Sequence, residues 1–302
     1  MGRILIGAGG WAYFRVPGES SLEAYSRAFD FVEVNSTFYS YPSISLVRSW
    51  RSRVPNRFEF SVRCHRDLTH RLKLNTTEPS FKVLDRMLSI CKALGAGILH
   101  LQTPPRLRLG KRETATLNDL ISYVNTHDVR PAIEIRGQAS PAFMRMMGRS
   151  DAIHCVDISK ETPDVETDVL YSRLFGKGEG NAYQFSDGEL KEINSKAENL
   201  RFEESILAFH GVRMYGDAAR LKVYRDSGQM PLATGERGAS SLRKVLTEDA
   251  SFPVSKTDLI RSQGWKLVDI SRDVRVRVEE LLQKMPDRTF RDVDEVVRLA
   301  GL

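Results

Sequence analysis

Cysteine is scarce in this chain: Cys64, Cys91 and Cys155 are the only three, and none forms a CxxC pair. An odd, scattered set argues against a disulfide framework and against a structural zinc site, so each reads as a small buried apolar residue. There is no run of eighteen apolar residues, hence no expected membrane span and no membrane partner. The opening segment Met1–Gly7 has too short an apolar stretch for a secretory signal and reads directly as a strand; a cytoplasmic protein is expected. A dinucleotide fingerprint is missing as well. Gly7-Ala8-Gly9-Gly10-Trp11 is rich in glycine but does not fit GxGxxG, and no helix starts at once. It reads as a tight turn where the backbone approaches a ligand or a neighbour.

What is present is an ordinary globular composition, 41% hydrophobic and 28% charged over 302 residues. The formal charge of +6 favours an anionic partner, DNA or RNA among the candidates. The excess is uneven. Arg48, Arg51, Arg53, Arg57, Arg63, Arg66, Arg71 and Lys73 crowd one stretch, and Arg106, Arg108, Lys111 and Arg112 form a second. These clusters make either a solvated surface or a phosphate-facing rim.

Short β-like runs alternate with helix-length segments. Strands are expected at residues 3–8, 31–35, 58–63, 97–102, 131–136, 152–157, 169–175 and 205–210. Helices are expected at 21–29, 44–54, 81–94, 114–126, 141–147, 187–199 and 216–226, with no full helix between the sixth and seventh strands. Parallel strands need crossovers that helices supply, and eight is the number at which such a sheet closes. The expected fold is an α/β (β/α)8 TIM-type barrel with a small C-terminal α+β appendage. The barrel is assigned to residues 1–229, a Gly/Ala/Ser-rich linker to 230–250, and the appendage to 251–302. In the appendage Ser255 is a candidate N-cap, with a strand near 265–270 and helices at 275–283 and 292–300.

Working residues of such a barrel come from the C-terminal ends of its strands. Alternation puts Glu33 and Asn35 on the inner face of the second strand, and Glu134 and Arg136 on that of the fifth. Arg63 ends the third strand, His65 and His70 follow it, and Arg173 lies in the seventh. A buried carboxylate at a strand end needs a partner, and arginines from neighbouring strands are the natural ones. Glu33, Glu134 and His70 are therefore the candidate acid/base groups. Trp11, Asn35, Tyr39, Arg63, Arg136 and Arg173 are the candidate ligand-binding residues. The alternative is a structural ion-pair network inside the barrel.

These same residues carry a resemblance. Ile6–Trp11, Phe31–Tyr39, Phe58–Arg63 with Thr69-His70, Ile133–Arg136 and Tyr171–Gly176 are similar to the pattern of the YecE-like family, domain of unknown function 72, over roughly residues 3–225. The resemblance implies a TIM-type barrel. The chain departs from that pattern at Arg63, where the family usually has lysine, at Phe175, where it has histidine, and around His210-Gly211, where the family has an Asn-Asn pair. Guanidinium stays protonated, so Arg63 cannot serve as a proton donor or Schiff-base former but binds phosphate well. The departures lean toward anion binding.

Three functions follow from the charges. The first is a nucleic-acid-directed hydrolase, with Trp11, Tyr13, Phe14, Phe38, Tyr39 and Tyr41 available to stack on bases. Its metal variant would draw on Glu33, His65, His70, Glu134, His154, Asp157 and His210, but arginines at the same strand ends oppose a cation cluster; a metal cofactor is left open and not favoured. The second is a metal-free enzyme acting on a sugar phosphate or similar anion. The third is a non-catalytic nucleic-acid-binding module, with a protein partner of unknown kind for the appendage.

Overall fold

A computed structural model describes residues 2–199 and 202–302; residues 1, 200 and 201 lie outside it. The chain groups into two compact units, Met1–Leu174 with Ser195–His210, and Phe175–Asn194 with Gly211–Leu302.

The first unit holds eight strands: β1 (Arg3–Ala8), β2 (Phe31–Val34), β3 (Glu59–Arg63), β4 (Ile98–Gln102), β5 (Arg130–Glu134), β6 (Ile153–Cys155), β7 (Val169–Leu174) and β8 (Glu204–Phe209). Their order is β6-β5-β4-β3-β2-β1-β8-β7, every pairing is parallel, and a parallel bridge from Val156 to Ser172 joins the two ends. This is the expected (β/α)8 TIM-type barrel. Helices α1 (Ser21–Ala28), α2 (Ile44–Ser52), α3 (Glu78–Leu94), α4 (Lys111–Asn125) and α5 (Pro141–Arg149) follow the first five strands. No helix separates β6 from β7, as the proline-broken sequence there suggests. Helix α6 (Asp187–Asn199) follows β7. The crossovers take α-helical form because their apolar residues recur at helical spacing. In α3, Val83, Leu84, Met87, Leu88, Cys91 and Leu94 are buried, and Gly95 ends the helix in the left-handed region at φ 68°.

Inside the barrel, side chains alternate strictly with those facing the helices. A lower core of Leu5, Phe31, Ile98, Ala132, Ile153 and Ile206 is apolar. The pleat turns polar above it, at Ser61 and Tyr171, and charged at the strand ends. Two glycines in β1 and its turn are demanded by close neighbours. A Cβ on Gly7 would fall 1.9 Å from the Phe31 carbonyl oxygen, and one on Gly9 2.1 Å from the His210 ring. The glycine-rich turn thus makes room for a neighbouring imidazole, one of the two roles expected of it. All three cysteines are buried and unpaired.

The second unit contains α7 (Met214–Ser227), α8 (Gly238–Thr247), α9 (Lys256–Gln263), α10 (Val278–Gln283) and α11 (Val293–Ala300). It also has two short antiparallel ladders, β9 (Val254–Ser255) with β12 (Thr289–Phe290) and β10 (Leu267–Asp269) with β11 (Arg275–Arg277). Ser255 caps α9, accepting from the Asp258 N–H at 3.1 Å, as expected. Two expectations are corrected. Residues 230–250 are not a plain linker: Leu242, Val245 and Leu246 stand one helical turn apart on α8, and their burial with Leu259 and Phe290 builds the core. The chain before α8 is tied down too, since Asp269 accepts the N–H groups of Ala233 and Thr234 at 3.0 and 2.8 Å. The helix expected at 275–283 begins only at Val278, because Arg275–Arg277 is the second strand of a hairpin. No helix among the described residues is long and apolar enough to cross a membrane.

Candidate functional site: a charged cup at the strand ends

The C-terminal ends of six strands supply one connected network. Glu33, wholly buried on β2, accepts at Oε1 from Nη2 of Arg173 on β7 at 3.1 Å, and its Oε2 lies at ion-pair distance, 3.1 Å, from Arg173 Nε. Tyr171, two residues earlier on the same face, donates to Glu33 Oε2 at 2.8 Å and shares a 2.7 Å hydrogen bond with Ser61. The other arm of Arg173 donates to Glu134 Oε2, and His100 Nε2 lies 3.1 Å from that same oxygen. Glu134 Oε1 accepts from Gln102 at 2.9 Å and from Arg136 at 2.7 Å. Gln102 in turn accepts from Arg63, which also donates to Asn35 Oδ1 at 2.6 Å. The Arg63 guanidinium lies 3.8 Å over the Phe38 ring.

Three guanidiniums therefore face two carboxylates. Burial pushes the Glu33 carboxyl up, but Arg173, with His210, His100 and Arg63, overrides it and holds the group at about 2. Burial likewise raises Glu134, and Arg173 and His100 bring it well below the usual carboxylate range. Both are fixed as anions. The histidines go the other way: burial and then Arg173 push His210 down to about 3, and the same two causes lower His100. Their rings are neutral at neutral pH, so they add nothing to the positive excess of the arginines.

Arg63 is the unbalanced member. It is only 8% exposed, its partners are two neutral amide oxygens, and its Nε has no hydrogen-bond partner. Among the described residues no carboxylate pairs with it directly; Glu33 and Glu134 act on it only through space, and burial and Arg173 outweigh them. His70 stands nearby, its ring 5.3 Å from that of Phe38 and its Nδ1 2.8 Å from Thr69 Oγ1. Burial, then Arg63, Arg136 and Arg66, lower its pKa, so the ring is neutral at neutral pH. The loops after β4 and β5 are braced above the strands by a two-residue parallel ladder, Arg108–Leu109 with Gln138–Ala139.

Of the residues singled out in the sequence, the structure joins Glu33, Asn35, Arg63, Glu134, Arg136, Arg173 and His210 in this network, with His70 beside it. Trp11 instead packs edge-on against Trp50 at 5.2 Å. Tyr39 stands 63% exposed next to Phe38. Three of the suggested metal ligands have local duties: His65 stacks on Tyr41 at 3.9 Å and accepts the Asp67 N–H, His154 accepts the Asp164 N–H, and Asp157 accepts from Ser159. The basic rim is half corrected. Arg51 donates to the carbonyls of Phe58 and Val54, and Arg53 pairs with Glu23 at 2.9 Å. Both precede β3, at the opposite end of the barrel from the cup. Arg66, Arg71, Lys73, Arg106 and Arg108 follow β3 and β4 and do lie at the cup end.

Sequence reasoning missed His100, Gln102, Ser61 and Tyr171. The signal was there: in Ile98-Leu99-His100-Leu101-Gln102 the polar residues alternate with leucines, as Glu33 alternates with valines. The donors that could hold a metal include His100, Glu134 and Cys155, whose ligand atoms lie within 4.8 Å of one another. Arg173 already occupies Glu134, and burial pushes the Cys155 thiol well above its ordinary value, which keeps it protonated.

Comparison with solved structures agrees with the barrel. A DUF72 family protein from Enterococcus faecalis superposes with a TM-score of 0.60 at 16% identity, covering 74% of this chain and 98% of its own. A DUF72 family protein from Thermotoga maritima gives a TM-score of 0.57 at 15% identity, covering 74% and 100%. No curated protein matches the chain. The model of the family described as protein of unknown function DUF72 matches residues 5–225, which span β1 from Leu5 onward, β2–β8 and every residue of the cup, and the chain belongs to that family.

Proposed function

We propose that the cup binds a phosphate-bearing ligand, a nucleic-acid strand being the favoured class, and cleaves its phosphate ester with His70 as the base. The observation that carries the reading is Arg63: a nearly buried guanidinium with neutral partners and an unsatisfied Nε. A buried charge of that kind is costly unless a counter-charge reaches it. A phosphate placed between Arg63 and Arg136 supplies one, with bidentate geometry that guanidinium suits. Glu33 and Glu134 are saturated by donors, so they hold Arg173 and the field of the site instead of moving protons. His70 is neutral at neutral pH, the state a base needs to take a proton from an attacking water, and its ring contacts Phe38, over which Arg63 lies. Exposed Arg66, Arg106 and Arg108 extend the positive surface from the cup along its mouth, in keeping with a chain of phosphates.

A small phosphorylated sugar is the second reading. One observation favours it: at 8% exposure Arg63 lies at a depth that a terminal phosphate reaches more readily than a phosphate inside a continuous strand. Equilibrium binding separates the two, using a 5′-phosphorylated oligothymidine, the same oligomer without that phosphate, and ribose 5-phosphate. The proposal expects Arg63→Ala to weaken the phosphorylated oligomer at least tenfold, and His70→Gln to stop any cleavage while leaving binding within twofold. Equal affinity of wild type and Arg63→Ala for every phosphate compound would remove the cup from ligand binding.

A further inference from the structure

The guanidinium of Arg173 is ringed by lone-pair donors. Both Glu33 oxygens meet it at 3.1 Å, Glu134 Oε2 accepts from Nη1, and His210 Nε2 accepts from Nε at 3.2 Å. An imidazole accepting at Nε2 presents a bare lone pair there, the form in which histidine ligates a metal. Two carboxylates and an imidazole from three separate strand ends are a donor set that zinc, manganese or iron takes. Among the described residues the trio whose ligand atoms already lie within 4.8 Å of one another is His100, Glu134 and Cys155, which shares Glu134 with this set, while Glu33 Oε1 and His210 Nε2 stand 3.5 Å apart. Such donors repel one another unless a cation stands among them. Here that cation is covalently part of β7 and 2% exposed, so it does not exchange with solvent.

We propose that Arg173 is the built-in cation of the cup: it fills the place its donors would otherwise give to a divalent metal, the intact protein takes no ion there, and shortening the side chain turns the same donors into a metal site. The inference stands apart from the ligand reading above, since it concerns only what the cup holds before any ligand arrives. Metal–ligand bonds run about 2.0–2.2 Å for oxygen and nitrogen, so the donors now spaced around a guanidinium close on an ion only after that group is gone. A dication placed beside the retained guanidinium would instead meet a fixed positive charge.

The test uses the full-length protein, stripped with chelator, as wild type, Arg173→Ala and Arg173→Lys. Cobalt(II) is titrated with visible absorption as the readout, and bound metal is counted by native mass spectrometry. The expected result is about one cobalt per chain in Arg173→Ala, at least tenfold tighter than in wild type or Arg173→Lys, and lost when Glu33→Gln is added. An Arg173→Ala protein that folds only when zinc is supplied supports the proposal equally. It is overturned by a stoichiometric ion in wild type that Glu33→Gln removes, by a folded Arg173→Ala with no gain in affinity, by binding that ignores Glu33→Gln, or by an Arg173→Ala that neither folds alone nor is rescued by zinc.

Discussion

At the scale of single residues, the cup is an arrangement in which every charge depends on another. Taking one partner from a buried ion pair leaves the other uncompensated, at a cost of about 3–5 kcal/mol. Glu33→Gln should therefore lower stability by about that amount, read from urea unfolding, because Arg173 keeps only Glu134. A loss under about 1 kcal/mol would mean the pair contributes little. The pH dependence has two stages. His210 titrates at about 3 in the fold against an ordinary 6.5, so the unfolded chain binds the extra proton first and stability falls as pH drops below 6.5. Glu33, held at about 2 against 4.5, adds its own loss as pH drops below 4.5. Melting temperatures between pH 7 and 3 should show a decline that starts near 6.5, and His210→Asn should flatten its upper part. A melting temperature constant down to pH 4.5 would contradict the neutral buried imidazole.

At the scale of elements, strand interiors were legible and loops were not. A strand with period-two alternation announces which residues point inward, and that pattern puts Glu33 and Glu134 on the inner face, while Arg63 and Arg173 are read from their places near strand ends. Glycine and serine at the start of α8 look like a linker by composition, yet Leu242, Val245 and Leu246 sit at i, i+3 and i+4 and are buried, so tertiary burial decides the element. Arg51 failed for a different reason: nothing in its neighbourhood in the sequence says that its guanidinium folds back on the carbonyls of its own turn. That contact yields a prediction. Arg51→Ala leaves the Phe58 and Val54 carbonyls without their charged donor and should cost about 1.5–3 kcal/mol in chemical denaturation. Neutrality within about 0.5 kcal/mol would show that water replaces the guanidinium there.

At the scale of the whole molecule, the positive excess read from composition divides between the two ends of the barrel, and only one end carries the cup. A linear sequence does not reveal that division until the strands are oriented, because Arg51 and Arg66 are neighbours in the chain but lie before and after β3. The distinction is measurable through counterion release. Each phosphate neutralised on a single strand contributes about 0.7 to the slope of log affinity against log salt. Replacing Arg66, Arg106 and Arg108 together by alanine should reduce that slope for single-stranded DNA by about two, since all three are exposed on loops that leave the C-terminal ends of β3 and β4. Replacing Arg51 and Arg53 should leave it unchanged, because their guanidiniums are committed to carbonyls and to Glu23 at the opposite end. The reverse pattern, a slope that responds to Arg51 and Arg53 but not to the loop arginines, would move the nucleic-acid surface away from the cup and with it the proposed site of chemistry.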